Sequence, residues 1–139
     1  MGLPGAGKTT LSLELAKILN AVHFNADEIR KEVNKDLGFE LQDRIEHARR
    51  MGKLCDIVVR AGQYVIADFV CPTEETREAF GLKDTFVIFV NRTSNKNYID
   101  TTKIFVEPIK SHIIINNEGS PLDWANKIKQ LITPLSYNL

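Results

Sequence analysis

The sequence has few of the residues that build disulfide frameworks or zinc sites. Its 139 residues include only two cysteines, Cys55 and Cys71, which form neither a CxxC pair nor a zinc-binding pattern. No apolar run approaches the ~18 residues of a membrane span, and the N-terminus lacks a charged stretch followed by an apolar one. We therefore expect a reduced, cytoplasmic protein with no secretion signal and no membrane association.

The sequence also lacks an excess of charge of either sign. Lys plus Arg total 18 and Asp plus Glu total 18, so the net charge is zero. A protein that binds nucleic acids without sequence preference usually carries a basic excess, so no nucleic-acid partner is expected. A local groove lined by basic residues is the alternative that the net charge does not exclude. Hydrophobic residues at 43% and charged residues at 26% are typical of a globular protein. The length suits one domain spanning residues 1–139.

Helix-like and strand-like segments alternate along the chain. Apolar spacing and turn residues predict helices over Thr9–Leu19, Ala26–Val33, Leu41–Arg60 and Leu122–Ile132, with a further helix capped by Thr73. Short apolar runs predict strands over Ala21–Phe24, Tyr64–Val70, Thr85–Val90 and Ile113–Ile115. Alternating strands and helices indicate an α/β fold, with a parallel sheet flanked by helices on both faces.

A phosphate-binding motif stands at the start of the chain. Residues 2–9, GLPGAGKT, fit G-x-x-x-x-G-K-[ST] in full, and a helix is predicted to begin at once. Glycines allow backbone amides to surround phosphate oxygens, the lysine charge reaches the β- and γ-phosphates, and the threonine hydroxyl suits Mg²⁺. A chance Gly-rich turn is the alternative, which the following helix disfavours. The expected ATP-binding residues are Gly2, Gly5, Ala6, Gly7, Lys8, Thr9 and Thr10.

Only Met1 precedes this loop, whereas such loops ordinarily follow a buried strand. Two explanations are open: the true start lies upstream, or the sheet lacks its central strand. We favour the first, because loss of a central strand would expose the edges of neighbouring strands and remove part of the core. The first strand of the expected sheet is therefore missing from the sequence.

Three further motifs follow in order: FNADEIR at residues 24–30, NKDLGF at 34–39, and DR with EHARR over 43–50. The chain resembles the adenylylsulfate kinase family from Gly2 to about Phe80. That family carries L-D-G-D-N-V-R, N-x-D-L-G-F-S and D-R-x-E-N-I-R-R. The resemblance implies a P-loop NTPase-type fold and Mg²⁺-dependent transfer of the ATP γ-phosphate to the 3′-hydroxyl of adenosine 5′-phosphosulfate, in sulfate assimilation. It also suggests a homodimer.

The resemblance implies roles for individual residues of this sequence. Lys8 and Asp27 would be catalytic, with Asp27 and Thr9 beside Mg²⁺ and Asp27 also beside the acceptor hydroxyl. Arg30 and Arg44 would hold the phosphosulfate, since guanidinium groups suit phosphate and sulfate oxygens, and Phe39 would stack on the adenine. The alternatives are that Arg44 belongs to a solvated helix face and that Phe39 is a core residue.

Four departures from the family pattern bear directly on the expected site. Asn25 stands where the family has aspartate, and His47 replaces a substrate-contacting asparagine, so we assign His47 to substrate binding. Asp68 and Cys71 replace the two serines of V-S-F-I-S-P. We include Asp68 among the catalytic candidates; it is placed to hold the water shell of Mg²⁺ or to tune Asp27, and a helix cap or a paired structural acid is equally open. Cys71 is expected to be an inert small residue.

The largest departure follows Val90, where the family has a basic lid. The corresponding segment is shorter and less basic, and its candidate cations are Arg92, Lys96 and Lys103. Lys103 is our candidate for the lid lysine that contacts the substrate. His47 and the altered lid motivate one alternative, a P-loop kinase with another small-molecule or nucleic-acid 5′-hydroxyl acceptor. The absent strand and the short lid motivate another, a nucleotide-binding protein with little catalysis.

Overall fold

The computed structural model describes residues 1–81, 85–92, 103–116 and 118–133. Its helices are α1 (Lys8–Leu19), α2 (Ala26–Glu32), α3 (Leu41–Arg60), α4 (Glu74–Phe80) and α5 (Pro121–Ile132). Its strands are β1 (Val22–Asn25), β2 (Val65–Asp68), β3 (Ile88–Val90) and β4 (Ile113–Ile115). Every predicted element is present, and the observed strands are shorter than the apolar runs that predicted β2 and β3.

The described strands pair in parallel. β1 pairs with β2, so that Asn25 lies directly opposite Asp68, and β3 pairs with β4. Parallel strands flanked by helices confirm the predicted α/β fold. In the described part of the chain no strand precedes the loop, and Met1 runs beside β3, accepting a hydrogen bond from the Val90 N–H at 2.8 Å.

The main core lies between helices α1 and α5 and strands β3 and β4. Leu11 and Leu15 of α1 are buried against Val90, Ile115 and Ile128. Burial of each large aliphatic side chain is worth roughly 1.5–3 kcal/mol. This packing holds the start of α1, and therefore the loop before it, against the end of β3.

A second packed region joins α3 to α4. A Cβ on Gly52 would lie 2.1 Å from the Phe80 carbonyl oxygen, so the two helices are in close contact where only hydrogen fits. Arg77 is 1% exposed and its Nε donates to the carbonyl of Cys71 at 3.0 Å. The Thr73 side chain accepts from the Thr76 N–H, which confirms Thr73 as a helix cap. This region fixes the chain directly after β2.

Residues 93–102, which carry most of the predicted lid, lie outside the described residues. The proposed role of Lys96 therefore stays a prediction. Within the described ranges, none of the helices combines the length and the apolar character that a membrane crossing requires.

Candidate active site

The phosphate-binding loop runs from Gly2 into α1 and requires glycine at specific points. A Cβ on Gly2 would lie 2.5 Å from the Val90 carbonyl oxygen, so any side chain there would push the loop away from β3. Gly5 and Gly7 have φ values of 78° and 96°, which disfavour other residues. All residues predicted to bind nucleotide lie in this loop and the first turn of α1: Gly2, Gly5, Ala6, Gly7, Lys8, Thr9 and Thr10.

Lys8 is folded back over the loop. Its Nζ donates to the Leu3 carbonyl at 2.8 Å. Burial lowers the pKa of Lys8, and the nearby carboxylates of Asp68 and Asp27 oppose this shift. An ammonium group that is partly desolvated and hydrogen-bonded to one carbonyl gains from an added anion, so this position suits a phosphate oxygen.

Asp68 is the centre of a hydrogen-bond network at the ends of β1 and β2. Its Oδ2 accepts from the Thr9 hydroxyl at 2.8 Å and from Asn25 Nδ2 at 3.1 Å, and it lies 3.2 Å from His23 Nε2. Burial disfavours the charged carboxylate, but the hydrogen bonds from these three side chains outweigh it, so the pKa of Asp68 lies below its ordinary value. Asp68 is therefore an ionised carboxylate in contact with the motif threonine.

Asn25 links this network to α2. Its Oδ1 accepts from the Glu28 N–H at 3.0 Å and caps the helix, while its Nδ2 donates to both Asp68 and the Thr9 hydroxyl oxygen. These contacts fix the orientation of the Asn25 side-chain amide, because its oxygen faces a donor and its nitrogen faces two acceptors. His23 was missed by the sequence reasoning; its position two residues before Asn25, on the same face of β1, was the available signal.

Asp27 lies between the nucleotide loop and the candidate acceptor region. It is exposed in the first turn of α2. Its charge acts on Lys8 on one side and on Arg30 on the other, in both cases favouring the cation. The structure therefore places Asp27 where the two halves of the site meet.

Phe39 and two arginines form a cluster beyond Asp27. The Arg30 and Arg44 guanidinium carbons lie 4.6 and 5.6 Å from the centre of the Phe39 ring. Arg30 Nη1 donates to the Gly38 carbonyl and Arg44 Nε to the Phe39 carbonyl, so the loop backbone holds both side chains in place. Phe39 is 66% exposed and is therefore not a core residue. An exposed aromatic ring with two adjacent cations suits an aromatic ligand that carries an anion.

His47 lies on α3 and is buried at 3% exposure. Its Nδ1 lies 2.9 Å from Asn34 Nδ2, and Arg50 Nη1 donates to Asn34 Oδ1 at 3.3 Å. Burial, together with the charge of Arg30, lowers the pKa of His47 to about 4. The sequence reasoning placed His47 at the acceptor site but did not identify Asn34 or Arg50 as its supports.

Arg92 and Trp124 lie on the other side of the loop. Arg92 donates to the carbonyls of Asn116 at 3.0 Å and Gly119 at 3.3 Å. Both Arg92 and Trp124 line a cleft with Gly7. An arginine and an aromatic ring next to the phosphate loop suit the base and sugar of a nucleotide, because a planar ring can stack and a guanidinium group can donate hydrogen bonds.

Lys103 is not brought to this site by any contact that the structure describes. Its side chain is exposed, and it forms no hydrogen bond or ion pair with the described residues. The predicted lid role of Lys103 therefore stays a prediction, whereas the other site candidates cluster around the loop and α2.

Fold and loop together define a P-loop kinase class of protein. The family model described as adenylylsulphate kinase matches residues 1–102. The chain belongs to the adenylylsulphate kinase family, as the motifs indicated.

Individual relatives agree with this assignment. The chain is similar to adenylyl-sulfate kinase of Oceanobacillus iheyensis, with 39% identity over 82 residues, covering 55% of this chain and 41% of that protein. It is similar to adenylyl-sulfate kinase 3 of Arabidopsis thaliana, with 37% identity over 83 residues, covering 56% and 40%. The chain thus matches about 40% of the length of these curated relatives.

Among solved structures, the chain resembles the Mycobacterium tuberculosis APS kinase CysC, determined in complex with AMPPNP and APS. The TM-score is 0.82 and the identity 19%, covering 94% of this chain and 93% of that one. This likeness confirms the fold.

Proposed function

We propose that this protein is an ATP-dependent kinase that phosphorylates the 3′-hydroxyl of adenosine 5′-phosphosulfate. The observation that carries the proposal is the continuity of the site: Lys8 and Thr9 of the loop, Asp27 at the junction, and the Phe39 cluster beyond it. Membership of the adenylylsulphate kinase family supports this acceptor. Residues 1–139 are proposed to form one P-loop kinase domain.

Phosphoryl transfer depends on positioning and charge neutralisation more than on a strong base. We assign Lys8 and the loop amides of Gly2, Gly5, Ala6 and Gly7 to the phosphates of ATP, with the N-terminal turn of α1 at Thr10 completing the cradle. Lys8 exchanges the Leu3 carbonyl for a phosphate oxygen when nucleotide binds. Asp27 orients the acceptor hydroxyl and takes its proton as the bond from the acceptor oxygen to the γ-phosphorus forms and the bond from that phosphorus to the bridging oxygen breaks, so that ADP leaves.

The acceptor is proposed to lie over the Phe39 cluster. The Phe39 ring stacks on the adenine, while Arg30 and Arg44 bind the phosphosulfate. Since both guanidinium groups are already held by backbone carbonyls, little side-chain freedom is lost on binding. Asp27 is then on the side of the acceptor that faces the nucleotide.

The donor set near Thr9 fits Mg²⁺. The Thr9 hydroxyl and the carboxylates of Asp68 and Asp27 are oxygen ligands, which Mg²⁺ prefers, and Mg²⁺ commonly uses one or two carboxylates with substrate phosphates. In the described ranges no three His, Cys, Asp or Glu side chains surround a common point, so a cage made of protein alone is not built there. Thr9 and Asp27 would hold the ion, which would supply neutralisation of the phosphate charge, and Asp68 would act through its hydrogen bond with the Thr9 hydroxyl.

Coupled ADP release with adenylylsulfate as acceptor tests the proposal. Release that depends on both ATP and adenylylsulfate is expected. Release with a sugar or an oligonucleotide but none with adenylylsulfate would instead support a kinase with another acceptor, for which His47 is the motivating residue. Tight ATP binding with no release for any acceptor would indicate a nucleotide-binding protein with little catalysis.

The assembly and location of the protein also stay predictions. A homodimer, suggested by the family resemblance, is checked by sedimentation equilibrium. The expectations of no nucleic-acid partner and of a cytoplasmic location are checked by gel-shift assays and by fractionation of cells.

A further inference from the structure

His23 lies on β1 beside the nucleotide loop, and the reaction proposed for this site does not use it. Its Nε2 lies 3.2 Å from Asp68 Oδ2, and the two side chains are 14% and 1% exposed. In the register of β1 and β2, His23 pairs with Ile66 and Asn25 pairs with Asp68, so His23 and Asp68 are diagonal neighbours. Diagonal positions on paired strands are within reach of long and aromatic side chains. A histidine at residue 23 is therefore long enough to reach the carboxylate.

The side-chain amide of Asn25 can only donate to the Asp68 network. Its Oδ1 accepts from the Glu28 N–H at 3.0 Å, so its Nδ2 faces the network. From there Nδ2 donates to Asp68 Oδ2 at 3.1 Å and to the Thr9 hydroxyl oxygen at 3.2 Å. Because Asn25 donates to Thr9, it cannot also accept the Thr9 hydrogen.

These contacts leave the Thr9 hydroxyl with one orientation. A hydroxyl group has one hydrogen and two acceptor lone pairs. The Thr9 hydrogen goes to Asp68 Oδ2 at 2.8 Å, and one lone pair accepts from Asn25. The second lone pair has no donor among the described residues, and Thr9 is exposed in the first turn of α1. A cation beside the phosphates can use this second lone pair, since Mg²⁺ prefers oxygen ligands.

The Asp68 carboxylate also decides which nitrogen of His23 carries a hydrogen. An ionised carboxylate only accepts, so the Nε2 at 3.2 Å must donate to it. Three donors therefore converge on Asp68 Oδ2, from Thr9, His23 and Asn25. Thr9 and Asn25 are also bonded to each other, whereas within the described residues His23 bonds to the carboxylate and to neither of them. His23 therefore restrains the carboxylate independently of the other two donors.

We propose that His23 is a positioning residue for the metal ion of the nucleotide: its Nε2–H fixes the Asp68 carboxylate, the carboxylate fixes the Thr9 hydrogen, and the unused lone pair of Thr9 is thereby aimed at the ion. His23 itself touches neither the nucleotide nor the ion. Without its hydrogen bond the carboxylate is held only by Thr9 and Asn25, so it can turn about its Cβ–Cγ bond and the Thr9 hydroxyl turns with it. The nucleotide and the ion rest on the proposed function.

The hydrogen on Nε2 is tested first, without nucleotide. Proton–nitrogen correlation spectra of protein labelled at its three histidines distinguish a protonated ring nitrogen from an unprotonated one, and comparison with H23Q identifies the signals of His23. We expect Nε2 of His23 to be protonated at neutral pH. An unprotonated Nε2 would overturn the proposal whether or not the protein is a kinase.

The link from His23 to the ion is tested by nucleotide binding, with no turnover. The fluorescence of Trp124, which lines a cleft with Gly7, follows the binding of AMPPNP with Mg²⁺ and of AMPPNP with EDTA. The ratio of the two dissociation constants measures how strongly the ion favours nucleotide binding. In H23L this ratio should fall about tenfold, as for loss of a group that orients a metal ligand, while the dissociation constant in EDTA changes less than about twofold.

Two further variants separate a positioning role from a purely structural one. H23Q carries an amide donor near the position of Nε2, so its ratio should stay within about threefold of the wild-type ratio. H112L is the matched control: His112 Nδ1 accepts from the Val87 N–H at 2.9 Å, away from the network, so its loss should lower stability and leave the ratio unchanged. Equal ratios in H23L and H23Q would overturn the proposal. Weaker binding of H23L by the same factor with and without the ion would do so too.

The remaining outcomes separate this proposal from the proposed function. If H23L does not fold, as judged by circular dichroism, H23N replaces it, because its amide is too short to reach Asp68, and the same fall in the ratio is required. A wild-type protein that binds AMPPNP with Mg²⁺ but does not phosphorylate adenylylsulfate would refute the acceptor, while the ratios still decide the role of His23. A wild-type protein that binds AMPPNP equally well with and without Mg²⁺ would refute the role of His23 alone, and one that binds no nucleotide would refute both.

Discussion

Asn25 Nδ2 donates to Asp68 Oδ2 at 3.1 Å, across directly paired positions of β1 and β2. The same carboxylate oxygen accepts from the Thr9 hydroxyl. This edge of the site therefore holds one carboxylate and one amide, with the carboxylate on β2. The family pattern has an aspartate at residue 25 and a serine at residue 68, so in this chain the carboxylate is on the neighbouring strand.

Exchange of these two side chains should preserve function better than either single change. N25D places two carboxylates within hydrogen-bond distance, and their repulsion raises the pKa of one of them. D68N removes the only carboxylate of the pair. Each single variant should lose at least about tenfold in kcat/KM, and N25D/D68N should recover most of it, with a coupling energy of about 1–2 kcal/mol. ADP-release kinetics on all four proteins measure this, and additive losses would contradict it.

Removal of the Lys8 ammonium group should abolish phosphoryl transfer. K8A leaves the phosphates without the charge that the loop is built around, and we expect kcat to fall at least about a hundredfold, as for loss of one stabilising donor in a transition state. Trp124, the sole tryptophan, lines a cleft with Gly7, so its fluorescence reports nucleotide binding. K17A is the control, because Lys17 is on the same helix with its side chain 72% exposed. Full activity in K8A would refute the assignment.

Truncation of Phe39 should weaken acceptor binding without destabilising the fold. Loss of base stacking costs roughly 1–3 kcal/mol, so F39A should raise KM for adenylylsulfate about tenfold. At 66% exposure the ring contributes little to the core, and the urea midpoint should hardly change. I109A removes an apolar side chain that is 80% exposed and serves as the control. A large loss of stability in F39A would show that Phe39 is structural.

The stability of the fold should fall as the pH drops through the range in which His47 titrates. Burial lowers the pKa of His47 to about 4, whereas the unfolded chain titrates near 6.5. Between these values the unfolded state binds the extra proton, so the free energy of unfolding decreases as pH falls from about 6.5 to 4, by up to about 3 kcal/mol. Urea unfolding at several pH values measures it. H47Q should flatten this part of the profile, and an unchanged slope would contradict the assignment to His47.

A methyl group at Gly52 should disrupt the contact between α3 and α4. The added Cβ would lie 2.1 Å from the Phe80 carbonyl oxygen, so one helix must move. Overpacking of this kind typically costs about 1–3 kcal/mol, and G52A should lower the thermal midpoint by several degrees. K53A, the next residue on α3 and exposed, should have little effect. Equal midpoints for the two variants would show that the helices separate without cost.

Much of the fold and part of the site were predictable from local sequence. The motif at residues 2–9 predicted the loop and the start of α1, because glycine spacing and a following helix are local features. Apolar runs predicted each strand and the parallel pairing, although the described strands pair as two separate two-stranded sheets. The ends of β2 could not be predicted as well, since an apolar run continues past the last paired residue, Asp68.

The role of Asp68 could not be decided from the sequence. Four readings were open from the sequence, because a carboxylate at the end of a strand can cap, pair, tune or bind. Only the pairing of β1 with β2 and the position of α1 bring Thr9, His23 and Asn25 to the same carboxylate oxygen. Those contacts join residues up to 59 positions apart.

The sequence by itself determined the phosphate loop, the order of helices and strands, and the family of this protein, because each depends on patterns within short contiguous segments. Tertiary structure decided how the remaining polar groups are used. Asn34 and Arg50 were not candidates until packing placed them in line with His47, and His23 was not one until β1 lay beside β2. Hydrogen bonds between distant side chains depend on angles and distances that only the packed chain sets.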